Sequence, residues 1–116
     1  MGPTVLVVDD HTSFRASAKR MLESEGYSVV GEAADGASAL SYVRELHPQL
    51  VLLDVYLPDI NGFEVAALLA ALDDAPTVIL VSSHDRAELE RFVPGSGARG
   101  FVPKDQLSRE ALEKFG

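Results

Sequence analysis

The sequence predicts an α/β fold, a doubly wound five-stranded parallel sheet of (βα)5 form with strand order 2-1-3-4-5. Three observations predict it. Apolar runs of four or five residues recur along the chain, and stretches of helical periodicity separate them. Four of the five runs are continuously apolar, as expected for strands covered on both faces. Right-handed crossovers between parallel strands then wind the helices onto both faces of the sheet.

Each element has its own signal. Thr4–Val8 is a Val/Leu run too short for a helix and is stopped by Asp9-Asp10. Phe14, Ala18, Met21 and Leu22 fall on one helix face that ends near Gly26. Ser28–Ala33 reads as the second strand, with Asp35-Gly36 as a turn. Ala39, Val43 and Leu46 repeat as a helix stripe stopped before Pro48. Residues 50–53 form the third strand, ending at Asp54. Val65, Leu68, Leu69 and Leu72 give the next helix face, and the interleaved alanines add helix propensity. Residues 77–81 are the fourth strand, closed by Ser82-Ser83. A short helix over 85–93 follows, then a Gly-rich turn and a fifth strand over 99–102. Ser108 caps a last helix carrying Leu107, Ala111, Leu112 and Phe115.

Composition bounds the function. The 116 residues make one domain, long enough to bury a core without staples. No Cys is present, which excludes a disulfide scaffold, a thiolate zinc site and a cysteine nucleophile. No apolar run approaches the ~20 residues of a membrane helix, and no signal peptide is evident, so the expected location is the cytoplasm. Ten basic against 18 acidic residues give a net charge of −8 and a pI near 4.7. Nucleic-acid binding relies on basic residues that neutralise phosphates, so direct nucleic-acid binding by this domain is not expected.

In a doubly wound sheet, ligands bind beyond the carboxyl ends of the strands, where the strand order reverses. Strand 1 ends in Asp9-Asp10, strand 3 in Asp54 and strand 4 in Ser82-Ser83, while strand 5 runs through Pro103 to Lys104. Strand 2, at the edge, ends in unreactive Ala33-Ala34. Strands lie ~4.8 Å apart, so three carboxylates, a hydroxyl and an ammonium gather in one pocket. Two carboxylates ~4 Å apart repel by roughly 4 kcal/mol at an effective dielectric near 20. A proton or a cation must relieve this, and hard oxygen ligands with no His or Cys in the pattern favour Mg²⁺. Singly, each residue has a plainer reading: Asp9 and Asp10 as helix caps, Asp54 as a turn residue, Ser82 as an N-cap, Lys104 as a solvated lysine. Their joint placement argues otherwise. Gly95-Ser96-Gly97-Ala98-Arg99-Gly100 matches the dinucleotide-binding spacing but precedes a strand instead of opening a helix, so the match is accidental. A flavin or nucleotide site would need a phosphate-cradling loop after strand 1, where the aspartates repel phosphate.

The set Asp9-Asp10, Asp54 with Pro58 and Gly62, Ser82 and Lys104 resembles the receiver domain of two-component response regulators, a flavodoxin-like fold. The resemblance covers residues 1–116. Asp10-His11 with Phe14-Arg15, and Gly97-Ala98-Arg99-Gly100-Phe101 before Lys104-Asp105, resemble the subfamily with a C-terminal helix-turn-helix output domain. The resemblance implies that Asp54 accepts a phosphoryl group from a sensor histidine kinase. It implies that Asp10 holds Mg²⁺ directly, Asp9 largely through water, and the Tyr56 backbone carbonyl as a further ligand alongside Asp54. Lys104 becomes the second cationic clamp, and Ser82 bonds the phosphoryl group. Phe101 takes the place of the aromatic switch, acting by packing because it lacks a hydroxyl. Pro58 and Gly62 shape the loop and the start of the third helix.

Departures from the family pattern carry their own expectations. Ser83 stands where Ala is usual, and it remains small enough for donor access. Pro94-Gly95 shortens or distorts the helix before strand 5. Tyr56, Ser83 and His84 border the pocket and are expected to modulate water access, whereas His11 and His47 read as surface residues. The chain is expected to be a phosphoacceptor switch and not an enzyme. A homodimer is a candidate assembly, and DNA contact would come through a helix-turn-helix domain outside this chain. The competing reading is a phosphorylation-independent docking or dimerisation module.

Overall fold

The first strand, β1 (Thr4–Val8), is buried along its last four residues and pairs in parallel with strands on both sides. The structure, a computed structural model, describes residues 2–83 and 89–115. After β1 come α1 (Thr12–Ser24), β2 (Ser28–Ala33), α2 (Gly36–Leu46) and β3 (Leu50–Asp54). They are followed by α3 (Gly62–Ala70), β4 (Thr77–Ser82), β5 (Gly100–Pro103), a 3-10 turn (Lys104–Gln106) and the short α4 (Arg109–Glu113). All strand pairs are parallel, and the order is β2-β1-β3-β4-β5, as expected.

Alternation along each strand divides the core into two layers. Leu6, Val8, Val51, Leu53, Val78, Leu80 and Phe101 face α2 and α3, against Ala39, Val43, Val65, Ala66 and Leu69. Val5, Val7, Leu50, Leu52, Ile79, Val81 and Val102 face α1 and α4, against Ala18, Leu22 and Leu112. Three inner strands sandwiched this way need apolar residues on both faces, which explains the continuous runs. Strand β2 is different: its pattern alternates, and a register shift opposite Val5/Leu6 bulges this edge.

Several expectations need adjustment. Asp35-Gly36 is not a free turn but a helix start: Asp35 accepts a hydrogen bond from Ser38 N at 2.8 Å. Gly36 is the first helical residue, and a Cβ there would sit 2.6 Å from Ile60 Cγ1. Leu46 and Leu68, expected on apolar helix faces, are 36% and 50% exposed. The buried face of α3 runs through Gly62, Val65, Ala66 and Leu69. Strand β5 lies one residue later than expected. Of the helix expected over 85–93, residues 84–88 lie outside the described residues. Leu89 and Glu90 are helical, and residues 91–97 run in turns held by bonds from Phe92 N to Leu89 O and from Val93 N to Glu90 O. Pro94 then supplies no N–H to continue the helix. Among the described residues, no helix is long and apolar enough to cross a membrane.

Candidate functional site

Two strands end directly in the site. Asp9 follows β1 and its N–H donates to Ala33 O at 3.0 Å, which extends the sheet ladder by one residue. Asp54 is the last residue of β3 and stays in the ladder opposite Val81. Both carboxylates are buried, Asp9 completely. Lys104 arrives from β5 through Pro103, and its Nζ lies 2.5 Å from Asp9 Oδ2 and 3.5 Å from Asp54 Oδ2. The ammonium also sits 4.5 Å from the Phe14 ring centroid, so an aromatic face on α1 supports it from below. Asp54 Oδ1 accepts a hydrogen bond from Tyr56 N at 3.3 Å. Among the described residues Asp9 Oδ2 has no hydrogen-bond donor; its contact with Lys104 is ionic.

Of the predicted residues, Asp9, Asp10, Asp54 and Lys104 therefore come together. Ser82 is fully buried at the end of β4, next to Asp54 in the sheet order. Ser83 is exposed at the rim, and Tyr56 is half exposed. Phe101 is buried in the α2/α3 layer, so its ring already points inward. His84 lies outside the described residues. Gly62 is where the site tolerates no side chain: a Cβ would lie 2.4 Å from Asp54 O and 2.8 Å from Val55 Cα. Gly62→Ala should cost about 1–3 kcal/mol by overpacking, read as a lowered urea midpoint with an unchanged denaturant slope. An unaltered midpoint would show that the β3–α3 loop can yield.

Three residues with no expected role in the pocket complete the site. His11 was read as a surface residue, and its side chain is 66% exposed, yet Nδ1 lies 3.0 Å from Asp9 Oδ1 and 3.1 Å from Asp10 Oδ1. Its backbone N–H also donates to Asp9 Oδ1 at 2.8 Å. The expectation of no histidine near the carboxylates is thus corrected. The Asp9-Asp10-His11 sequence held the signal, since an Asp commonly turns the chain by bonding the N–H two residues on. Arg15 Nη1 donates to Asp9 O at 2.6 Å while Nε pairs with Glu32 at 3.2 Å, fixing the backbone that aims Asp9. Phe14 is the third, as the seat of Lys104.

The electrostatics follow from burial. Asp54 is pushed up from the ordinary 3.8 to about 6, first by desolvation and then by the Asp9 charge; Lys104 and the Tyr56 N–H act in the opposite direction. A carboxyl with a raised folded pKa contributes stability fully present below about 3.8 and lost as pH rises through about 6. The stability difference between the wild type and Asp54→Asn should therefore change by about 2–3 kcal/mol between these values and stay flat above them. Urea midpoints taken against pH check this, and a difference constant across the window would contradict it.

One ligand atom from each of Asp9, Asp10, His11 and Asp54 lies within 4.8 Å of the others. Hard carboxylate oxygens from three aspartates gathered at one pocket suit a small divalent cation, and the residues present fit Mg²⁺. The arrangement can gather positive charge around one buried carboxylate, which is the requirement for placing a second anion beside it.

Comparison with known proteins finds the same fold and one family. The family model described as the response regulator receiver domain matches residues 5–115. The chain is 37% identical over 110 residues to the transcriptional regulatory protein NarL of Mycobacterium tuberculosis, covering 94% of this chain and 51% of that protein. It is 35% identical over 108 residues to the transcription regulator BvgA of Bordetella pertussis, covering 93% and 52%. The solved signal receiver domain of NarL from M. tuberculosis superposes with a TM-score of 0.87 at 35% identity, covering 97% of this chain and 94% of that one. The chain spans about half the length of the curated transcription regulators it matches.

Proposed function

This chain belongs to the response regulator receiver domain family, and from that premise we propose that it accepts a phosphoryl group from a sensor histidine kinase onto Asp54 in a Mg²⁺-dependent reaction. The observation that carries the proposal is the placement of Lys104 between the buried carboxylates of Asp9 and Asp54. Asp9, Asp10, Asp54 and the Tyr56 carbonyl would hold the ion. When bound, Mg²⁺ supplies the positive charge that spreading negative charge on phosphoryl oxygens requires.

The chain's own residues do the rest. An Asp54 carboxylate oxygen forms the bond to phosphorus while the bond to the donor nitrogen breaks and its electron pair leaves with the donor. Lys104 is already within reach of Asp54 and can follow the charge onto the incoming group. Arg15 and Phe14 hold Asp9 and Lys104 in place, so little reorganisation is needed. Ser82, at the end of the neighbouring strand, turns its hydroxyl to a phosphoryl oxygen. That movement opens space in the layer where Phe101 packs, and the aromatic ring and the 89–97 segment settle into a second arrangement. Tyr56, Ser83 and His84 set how readily water reaches the acyl phosphate. The protein acts as a switch and not as a turnover enzyme, with transcription as the output, DNA reached through a separate helix-turn-helix domain, and a homodimer as the candidate active assembly.

Intact-mass spectrometry after acetyl phosphate and Mg²⁺ tests the reading. One added phosphoryl group on the wild type, and none when EDTA is present, supports it. No adduct, where a control receiver labels, would overturn it. A second reading, a docking module indifferent to phosphorylation, draws on the half-exposed Tyr56 and Phe92 beside α3; partner binding unchanged by Asp54→Asn would favour it.

A further inference from the structure

The first turn of α2 is capped twice, from two different places. Asp35, the residue before the helix, accepts a hydrogen bond from Ser38 N at 2.8 Å. That is the local cap expected of an aspartate at a helix start. The two N–H groups ahead of it are bound elsewhere. Gly36 N donates to Asp59 Oδ1 at 2.8 Å, and Ala37 N donates to Asp59 Oδ2 at 2.9 Å. Asp59 lies 23 residues beyond Gly36, in the loop between β3 and α3, and it is exposed. Burial does not hold it there; two charge-assisted bonds and the positive end of the α2 dipole do. The same bonds, Gly36 N–H first and Ala37 N–H second, keep its carboxyl below the ordinary carboxylate range.

The loop gripped in this way begins at the carboxylate end of β3. Its base is fixed: Gly62 N donates to Val55 O at 2.7 Å, and Gly62 lies too close to Asp54 O for a Cβ. Its far end is fixed by Asp59, with Ile60 packed so tightly on Gly36 that a Cβ there would meet it at 2.6 Å. Tyr56 lies between the two anchors. Its N–H donates to Asp54 Oδ1 at 3.3 Å, and its carbonyl is one of the groups proposed above to hold the ion. Half of Tyr56 is exposed, so burial alone does not set the course of its backbone.

We infer that Asp59 is a positioning residue whose two-pronged bond to the start of α2 sets the Tyr56 backbone against Asp54. The clamp is a property of the metal-free chain, while its consequence for phosphoryl transfer rests on the function proposed above. A link of this kind works in both directions. Whatever the clamp adds to cation binding, cation binding adds to the clamp. Mg²⁺ should therefore steady the start of α2, although the cluster of Asp9, Asp10, His11 and Asp54 contains no residue of that helix.

Asp59→Ala tests this, with Asp35→Ala as its control. Each removes one carboxylate and one cap from the same helix end, and only Asp59 reaches out of the β3–α3 loop. The first readout is solvent exchange of backbone amides, followed by nuclear magnetic resonance in EDTA. Tyr56 N–H should exchange about five-fold or more faster in Asp59→Ala and stay within about two-fold of the wild type in Asp35→Ala. Equal acceleration in both variants, or none in Asp59→Ala, overturns the inference. In the wild type, saturating Mg²⁺ should slow the Gly36 and Ala37 amides, and unchanged rates overturn the coupling. The second readout is the Mg²⁺ dependence of labelling by acetyl phosphate. The half-saturating Mg²⁺ concentration should rise about five-fold or more in Asp59→Ala, with the rate at saturating Mg²⁺ within about two-fold of the wild type. A rise shared by Asp35→Ala reflects lost charge or a loosened helix and overturns the inference. A wild type that does not label overturns the proposed function and leaves amide exchange to decide the clamp. A wild type that labels, with Asp59→Ala indistinguishable from it, overturns the clamp and leaves the function standing.

Discussion

Replacing Lys104 by Met should destabilise the protein by about 3 kcal/mol at neutral pH, the size expected when one partner of a buried ion pair is removed. Asp9 and Asp54 are buried, and Lys104 is the cation between them. Met retains much of the aliphatic packing against Phe14, so the loss reports charge and not volume. Without the ammonium, Asp54 loses one of the influences that hold its pKa down. It should titrate at still higher pH, and acid should recover part of the lost stability. A double-mutant cycle with Asp9→Asn separates the terms: the pair should be less destabilising than the sum of the single changes, because neutral Asn no longer needs the ammonium. Urea unfolding at neutral pH is the measurement. A change within about 0.5 kcal/mol would mean that the bridge behaves as an exposed pair.

Asp54→Asn should act in the opposite direction on stability and abolish phosphoryl acceptance. At neutral pH and without added dication, burial and the Asp9 charge hold Asp54 at a pKa of about 6. Ionising it costs the fold about 2–3 kcal/mol, which a neutral amide of the same shape avoids. The variant should melt higher than the wild type in EDTA, and the gap should narrow when Mg²⁺ is added, since a cation favours the charged form. A variant that is both less stable and less responsive to pH would place the strain elsewhere. Its chemical effect is total: the amide offers no anionic oxygen to attack phosphorus, so the intact mass should be unchanged by acetyl phosphate.

The two variants together explain why one sequence keeps groups that lower its stability. Burying Asp9 and Asp54 side by side is unfavourable unless positive charge arrives, and Lys104 supplies only part of it. Under the proposed function, that unmet charge is what would draw a dication and then a phosphoryl dianion to the pocket.

Much of this was legible in the residues before any coordinates. Strands with two covered faces must be apolar throughout, so β1, β3 and β4 announce themselves, and the residues that stop them are by necessity the ones at the sheet's carboxyl edge. That logic gave Asp9, Asp54, Ser82 and Lys104 their places. It failed where the inner face of a helix is set by tertiary packing: Leu68 has the right spacing for a buried stripe, but α3 buries Gly62, Val65, Ala66 and Leu69 and leaves Leu68 half exposed. It failed at Asp35-Gly36 because the same dipeptide that starts a turn also caps a helix, and the bonds that hold this helix start, from Gly36 N and Ala37 N to the Asp59 carboxylate, come from a residue distant in sequence. His11 was missed for a related reason. No periodicity describes a residue in a three-residue turn, and it is the folded turn, held by the bond from its N–H to Asp9, that leaves the ring beside the acid pair. Arg15 and Phe14 follow the same rule, since their roles depend on which strand end lies beneath α1.

The central claim is that the esterified carboxyl is the one at the end of β3. Treating the phosphorylated protein with borohydride reduces an aspartyl phosphate to homoserine, and peptide sequencing by mass spectrometry locates it. The account predicts homoserine at position 54 alone, only after a phosphodonor and Mg²⁺, and nowhere in Asp54→Asn. Homoserine at position 9 or 10, or a phosphoryl adduct that leaves position 54 unreduced, would contradict it.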